Sequence, residues 1–144
     1  MAAEIALMDI LRNDAALGAQ LGGTGISARV HILERPQKGI FPAIVLRGQD
    51  IDPSDTKDGV STLDTEFIQV LMYGENLETL IQTIESRVRT LCDRIVDGTY
   101  NDVVIQSSQF LDRDTFLEQF DNTSARLSKS VYAVEHIYKV RVKR

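Results

Sequence analysis

Two histidines are the first candidates for chemistry in this chain. His31 and His136 are far apart in the sequence, and neither has a cysteine or a carboxylate at the spacing typical of a metal site or a catalytic triad. Each lies in a segment that alternates apolar and polar residues, as strands do. We therefore interpret both as structural histidines, solvated or hydrogen-bonded, and we predict that the chain is not an enzyme.

An acidic segment, residues 48–60, is the second candidate. Asp50 and Asp52 have the spacing of the first two ligands of a calcium loop. The glycine that such a loop requires is absent, however, and Ser61 occupies the place of the closing glutamate. We therefore predict no metal site and no cofactor, and we interpret the segment as a solvated, mobile loop. Its aspartates are candidate contacts for a partner: Asp50, Asp52, Asp55 and Asp58.

A basic stripe near the end of the printed sequence is the third candidate. Lys139, Arg141 and Lys143 alternate with apolar residues, so they share one face of a predicted strand. The stripe is either a charged edge strand that resists pairing with other chains, or a contact for the acidic loop of a neighbouring subunit. The second interpretation fits a head-to-tail ring, because such a ring requires two complementary surfaces on each protomer.

Length and composition set the scale of the domain that positions these groups. The chain has 144 residues, 43% of them hydrophobic, which suits one core, so we predict a single domain over residues 1–144. A net charge of −5 argues against non-specific binding to nucleic acid. The lone Cys92 cannot form an intramolecular disulfide, and the N-terminal segment resembles neither a signal peptide nor a membrane span. We expect a protein that is cytoplasmic when made and binds no membrane.

A long helix over residues 76–97 is the clearest structural prediction. Its apolar residues recur on one helical face, Asn76 is a suitable N-cap, and Gly98 suits the left-handed position after the last turn. A shorter N-terminal helix ends near Asn13. Strands are predicted at residues 28–32, 41–46, 65–73, 103–110 and 130–142. The predicted fold class is α+β, with a mainly antiparallel or mixed sheet of about four to five strands and both helices packed on it.

The region between residues 103 and 142 is harder to fit into a compact domain. One unbroken hairpin would be about 55 Å long, whereas a domain of this size is roughly 40 Å across. A break at the charged residues 112–114 would leave a short helical patch, whereas a projecting arm would offer Phe116 and Phe120 to a neighbouring subunit. We predict a loop or arm over residues 112–129 that a partner orders.

The order of these elements carries a resemblance to a known family. A helix that ends in a Gly-Gly pair is followed by Ala28-Arg29-Val30-His31, then Arg35-Pro36, and then a strand that begins at Phe41-Pro42. A further strand, Tyr73-Gly74, the long helix and a final strand complete the order. This layout resembles the tail terminator, or tail completion, proteins of tailed bacteriophages, including the small tail-component family.

The resemblance implies a structural virion protein without catalytic residues. Members of that family form a ring, commonly a hexamer, that binds the last ring of the tail tube protein and stops its polymerisation. The ring then offers a surface to the head connector or stopper protein. The sheath protein would be a further partner in a contractile tail, and DNA would pass transiently through the ring. Assembly in the host cytoplasm would place the protein in the neck region of the virion tail.

Two other functions are consistent with the sequence. The first is another neck, baseplate or tube component of the same machine, which would also be small, acidic and ring-forming. The second is a small-ligand or regulatory α+β domain, which predicts a monomer or dimer with a defined pocket. An enzyme is the weakest alternative, because no acid, base and nucleophile can be grouped from their spacing.

Overall fold

One mixed sheet forms the centre of the computed structural model, which describes residues 2–33, 41–53, 63–120 and 129–143. Its strands are β1 (Val30–Ile32), β2 (Ala43–Pro53), β3 (Leu63–Gly74), β4 (Val96–Tyr100), β5 (Val103–Phe120) and β6 (Lys129–Lys143). They lie in the order β1-β2-β3-β6-β5-β4, with β1 parallel to β2 and the other neighbouring pairs antiparallel. The α+β class and the mixed sheet are confirmed, but the described residues contain six strands and not about four to five.

Two N-terminal helices pack on this sheet. α1 (Ala2–Arg12) and α2 (Ala15–Leu21) are separated by Asp14, whose Oδ2 accepts a 3.0 Å hydrogen bond from the N–H of Leu17 and so caps α2. Arg87, from the next helix, donates two hydrogen bonds of 2.6 and 3.0 Å to the same carboxylate. Asp14 therefore both starts α2 and fastens it to its neighbour. A single 3₁₀ turn follows at Gly25–Ser27.

The third helix, α3, follows β3 and has a mixed character. It is α-helical at Leu77–Thr79, π-helical at Leu80–Glu85 and α-helical again at Ser86–Cys92. Asn76 caps its start as predicted, because its Oδ1 accepts a 3.1 Å hydrogen bond from the N–H of Thr79. None of the helices in the described residues is long and apolar enough to cross a membrane.

The end of α3 differs from the predicted helix over residues 76–97. The chain becomes left-handed at Arg94, where φ is 59°, so Gly98 does not follow the last helical turn. Val96–Tyr100 instead forms β4, which a two-residue turn joins to β5. Ile95, the last residue of the predicted apolar face, is buried in the main core although it lies after the end of α3. Both turn residues have positive φ, as in a type I′ hairpin: Asn101 (48°) and Asp102 (64°).

The main hydrophobic core lies between the helices and one face of the sheet, the inner face. We call the opposite face the outer face. β3 contributes to both, as predicted for a central strand with apolar residues on both sides. Val70 and Met72 pack under the helices, whereas Leu71 and Tyr73 are buried on the outer face. They belong there to a smaller outer cluster, which consists of Val45, Leu71, Tyr73, Val131 and Ala133 with Phe41 and Phe116 packed against it.

β5 and β6 form one hairpin, so the alternative of a break at residues 112–114 is wrong. β5 is strand throughout Val103–Phe120, so no helical patch forms there. Two register shifts against β6 mark β-bulges, which bend and twist a strand and so let a long hairpin follow a curved sheet. The pairing of β6 with β3 ends at Tyr132. Towards the tip of the hairpin, residues 118–120 and 129–131 pair only with each other and form a two-stranded arm. Residues 121–128 lie outside the described residues, and ordering of the arm by a partner stays a prediction.

β2 also extends further than the sequence predicts. Residues 48–53 are the second half of this strand, where we expected the start of a mobile loop, and they pair with β3 past a register shift. Residues 54–60, which include Asp55 and Asp58, lie outside the described residues. The mobility of that part of the loop stays a prediction.

Candidate functional site

The basic stripe lies on the outer face of β6. Lys139, Arg141 and Lys143 alternate with Val140 and Val142, which are buried in the main core. β6 lies between β3 and β5, so it is not an edge strand, and the interpretation of the stripe as edge protection is wrong. Arg141 and Lys143 are exposed and Lys139 is half-buried. The stripe therefore faces a surface that a partner can reach.

Two of the four candidate aspartates lie near this stripe in the same chain. One β3 residue, Phe67, lies between Asp50 and Lys139 in the sheet register. A second β3 residue lies in the same way between Asp52 and Arg141. The backbone positions of each acidic and basic residue are thus two strand spacings apart, about 10 Å, so the two groups of candidate residues lie in the same part of the sheet.

The candidate aromatic contacts lie towards the other end of the hairpin. Phe116 pairs with Ala133, six residues before Lys139 along β6, which places it about 20 Å from the stripe. Its ring is half-buried against the outer cluster, and the neighbouring Leu117 is 52% exposed. Phe120 is a strand residue of the arm, and its side chain lies outside the described part of the chain. The structure thus separates the candidate contacts into a charged group and an apolar group.

A buried polar network, not predicted as a site from the sequence, lies between α3 and the sheet. The carboxylate of Glu85, in the π-helical part of α3, accepts two hydrogen bonds from the guanidinium of Arg113 on β5. One joins Nη2 to Oε1 at 2.9 Å and the other joins Nε to Oε2. His136 on β6 contacts the same carboxylate, with 2.7 Å between Nε2 and Oε2. A single carboxylate therefore ties one helix to two strands.

His136 is the middle of a short hydrogen-bond chain. Its Nε2–H donates to Glu85 and its Nδ1 accepts from the Tyr138 hydroxyl at 2.8 Å, a pattern that the neutral imidazole satisfies. Burial lowers the pKa of His136, although the neighbouring carboxylate opposes this shift. Burial alone would raise the pKa of Glu85, but hydrogen bonds from Arg113 and His136 outweigh it and lower the pKa. Burial raises the pKa of Tyr138, so its phenol stays protonated.

This network joins α3 to the sheet through two buried residues, Glu85 and His136, and through the Arg113 side chain, which is 40% exposed. His136 and Tyr138 are fully buried, and the ring of Phe110 packs edge-on against the imidazole with 5.0 Å between centroids. His136 thus fits the interpretation of a hydrogen-bonded structural histidine, and His31 is half-buried on β1. Within the four described ranges, no three potential metal-ligating side chains converge.

The sequence does contain a signal for this network. Glu85 lies on the apolar face of the predicted helix, four residues after Ile81 and three before Val88. His136 likewise occupies an inward position of the last strand, two residues before Tyr138. A charged residue at a core position requires a buried partner. The presence of Glu85 and His136 at two core positions therefore indicates that their side chains contact each other.

A small cleft brings together the two segments that carry the family resemblance. Phe41–Pro42, whose peptide bond is cis, and Gly74 line it beside the start of α3. They adjoin because Ala43 pairs with Tyr73 in the sheet. A Cβ on Gly74 would lie 3.3 Å from Cδ1 of Leu80, so the close approach of α3 favours glycine there. The cleft measures ≈ 190 Å³, below the roughly 300–1,000 Å³ of small-ligand pockets.

Comparison with known proteins extends the description of the fold. No family model matches the sequence, and no curated protein matches it. A chain from the virion of the native gene transfer agent (GTA) particle has a similar structure, with a TM-score of 0.65 at 15% sequence identity. The match covers 98% of this chain and 94% of that chain. At this level of identity the likeness is one of fold, and it extends over nearly the whole of both chains.

Proposed function

We propose that this chain is a structural protein of a phage-like virion and that it acts there as the tail terminator. Copies of the chain close into a hexameric ring on the last ring of the tail tube protein and stop its growth. The ring then provides the docking surface for the head connector or stopper protein. The observation that carries the proposal is the fold shared, over 98% of this chain, with a chain of the gene transfer agent virion.

Two further observations favour the terminator role within such a virion. The order of the elements resembles that of tail terminator proteins, and the two segments that carry this resemblance, Phe41-Pro42 and Tyr73-Gly74, adjoin in the fold. The net charge of −5 also suits a ring in the neck through which DNA passes without binding. In a contractile tail, the sheath protein would contact the same ring.

The outer face supplies the subunit contacts in this proposal. A closed ring requires two different, complementary surfaces on every subunit. The basic stripe of one subunit contacts the acidic segment of the next. Phe116, beside the arm, and Phe120, in the arm, pack on a neighbour. The residues proposed for these contacts are Lys139, Arg141, Lys143, Asp50, Asp52, Asp55, Asp58, Phe116 and Phe120.

Native mass spectrometry over a concentration series, with and without purified tube protein, tests the ring. We expect a closed hexamer, alone or on addition of the tube protein, and electron microscopy should then show tubes that no longer lengthen. A stable dimer that leaves tube growth unchanged would contradict the proposal.

Charge reversal in the basic stripe tests the proposed subunit contact. We expect the double variant Arg141→Glu and Lys143→Glu to raise the concentration needed for assembly by about tenfold, because two attractive contacts become repulsive. The control, Gln82→Glu with Thr90→Glu, also introduces two glutamates, with half the change in net charge, on the exposed face of α3 and should assemble as the unmodified chain does. Equal assembly of all three proteins would show that the stripe is not a subunit contact.

A different component of the same kind of particle is the second candidate, because the shared fold supports any virion protein of this architecture equally. A tube protein differs from a terminator in one measurable respect, since it polymerises without limit. Open-ended polymers of the purified chain would therefore identify it as a tube protein, whereas a ring that assembles only with other neck or baseplate proteins would identify a component of those structures.

A further inference from the structure

β5 has a long free edge on the side away from β6. β4 pairs with β5 only as far as Ser107, and no strand among the described residues lies beside residues 111–117 on that side. We call these seven residues the β5 edge. These residues are about as many as an average strand contains, which is roughly five to six. An unpaired strand edge of this length is a template for another strand.

Two N–H groups of the β5 edge are held by side chains of the same strand. The N–H of Arg113 donates to Oδ1 of Asp112, and the N–H of Thr115 donates to Oδ1 of Asp114, each at 2.8 Å. Both carboxylates are exposed, so water can solvate them if the carbonyl groups of an added strand take over the two N–H groups. The exchange would therefore leave no buried group without a partner. The aspartate side chains thus occupy these two N–H groups, but the carbonyl groups of an added strand can replace them.

The charge of the β5 edge restricts which strand can add to it. Asp112 and Asp114 are both on the edge, and Glu135 lies directly opposite Asp114 on β6. Arg113 is the cation of this edge, and its guanidinium is turned to Glu85 on the inner face, so it does not neutralise the aspartates. Like charges in neighbouring positions repel, and a cation placed beside them removes that repulsion. A second copy paired through the same edge would instead bring two pairs of aspartates together.

The alternation of the strand sets the pattern of the partner. Asp112 and Asp114 lie on the outer face, so the residues of an added strand beside them should be basic. Arg113, which lies between them, and Thr115 and Leu117, which follow, face the other side. Arg113 is engaged with Glu85, and Leu117 is 52% exposed. The added residues on that side should therefore be apolar. We propose that the β5 edge binds an extended protein segment in which lysine or arginine alternates with apolar residues.

β6 shows that such a segment pairs well in this sheet. Residues 139–143 alternate basic and apolar side chains and pair with β3, and β5 pairs with this stretch from residue 139 to Val142. The partner proposed here would repeat this pattern on the opposite edge of β5. The proposal concerns a contact with another protein and does not depend on the ring or on the terminator role.

A synthetic peptide tests the binding directly. The probe is a fluorescent heptapeptide of alternating lysine and valine, and the control replaces every lysine with glutamate. With the full chain, we expect the fluorescence anisotropy to rise for the lysine peptide only and its affinity to fall with added salt. Amide hydrogen exchange should slow at Arg113 and Thr115. Equal binding of both peptides, no binding of either, or protection confined to β2 would overturn the proposal.

A pair of isosteric variants tests the role of the aspartates. Asp112→Asn with Asp114→Asn keeps an oxygen that can accept from the same N–H groups, so the edge should stay folded while it loses its charge. We expect the lysine peptide to bind about tenfold more weakly. The matched control, Asp97→Asn with Asp102→Asn, removes the same charge from exposed positions of β4 and its turn and should leave the affinity unchanged. The same affinity in all proteins would refute the proposed charge recognition.

The outcomes of the peptide and assembly experiments are separable. A chain that binds the lysine peptide but fails to cap tubes would retain the edge contact and lose the terminator role. A chain that caps tubes but does not bind the peptide would retain the terminator role and lose the edge contact.

Discussion

The two faces of the sheet use charge in different ways. On the inner face, Glu85 and His136 lie against the core and are satisfied by each other and by Arg113. On the outer face, Arg141 and Lys143 are exposed to solvent. The difference follows from burial, because an ionised group removed from water is stable only when it is paired and hydrogen-bonded. The inner charges are thus committed to folding, whereas the outer charges are free to serve contacts.

Removal of the central carboxylate should have the largest effect on stability. We expect Glu85→Ala to lower the free energy of unfolding by about 2–4 kcal/mol, because it leaves the fully buried His136 without its acceptor and removes the ion pair with the partly exposed Arg113. Urea denaturation followed by circular dichroism measures this change. The matched control is Glu78→Ala, an exposed position of the same helix, where we expect a change within about 0.5 kcal/mol. Equal effects at both positions would refute the role of the network.

The same network should make stability depend on pH. The pKa values of His136 and Glu85 in the folded protein are below their ordinary values of 6.5 and 4.5, so the unfolded chain binds more protons as the pH falls. Their contribution to stability is therefore complete above pH 6.5 and is lost progressively on acidification, first through His136 and then through Glu85. Urea denaturation at a series of pH values between 8 and 4 should show this decline.

Substitution of His136 identifies the source of the first step. His136→Gln keeps a donor for Glu85 but has no group that titrates near neutrality, so the decline between pH 6.5 and 5 should become shallower. The unmodified chain, measured in the same pH series, is the reference. A profile equal to that of the unmodified chain would assign the first step to other groups.

Local signals in the sequence predicted the parts of the fold that depend on local physics. Asn76 caps α3 as expected, and the alternation along β6 correctly places its apolar residues inward. The end of α3 was missed because β4, which the turn at Asn101 and Asp102 joins to β5, begins at Val96, before the predicted end of the helix at residue 97. The recognition of turn chemistry would have corrected both the helix end and the number of strands.

The alternative of a break in β5 is wrong for a tertiary reason. Residues 112–114 look like a loop because they are charged, yet Arg113 pairs with Glu85 and the two aspartates bond to the backbone of their own strand. No periodic pattern in the sequence reveals these contacts. The candidate contact residues were found by type and alternation, but their grouping required the register, since β3 places Asp50 and Lys139 in one row of the sheet.

An ion pair between two helices should give an intermediate effect. Asp14 is mostly buried and Arg87 is partly exposed, so their pair lies between the inner network and the outer stripe in its access to water. We expect Asp14→Ala to lower the free energy of unfolding by about 1–2 kcal/mol, because it removes the cap of α2 and the contact with Arg87. Asp14→Asn keeps the cap acceptor and should lose only about 0.5 kcal/mol. A reversed order of the two variants would show that the cap contributes nothing.

Charge reversal on the outer face should have the smallest effect on the stability of a single chain. We expect Arg141→Glu with Lys143→Glu to change the free energy of unfolding by about 0.5 kcal/mol or less, because both side chains are exposed and water screens their interactions. Arg113→Glu is the matched comparison, since it makes the same kind of change where the guanidinium contacts Glu85, and it should cost more. Urea denaturation in dilute solution, where the chain is not assembled, measures both. If the outer pair cost as much as Arg113→Glu, the outer charges would be part of the folding energy, and the contrast between the two faces would be wrong.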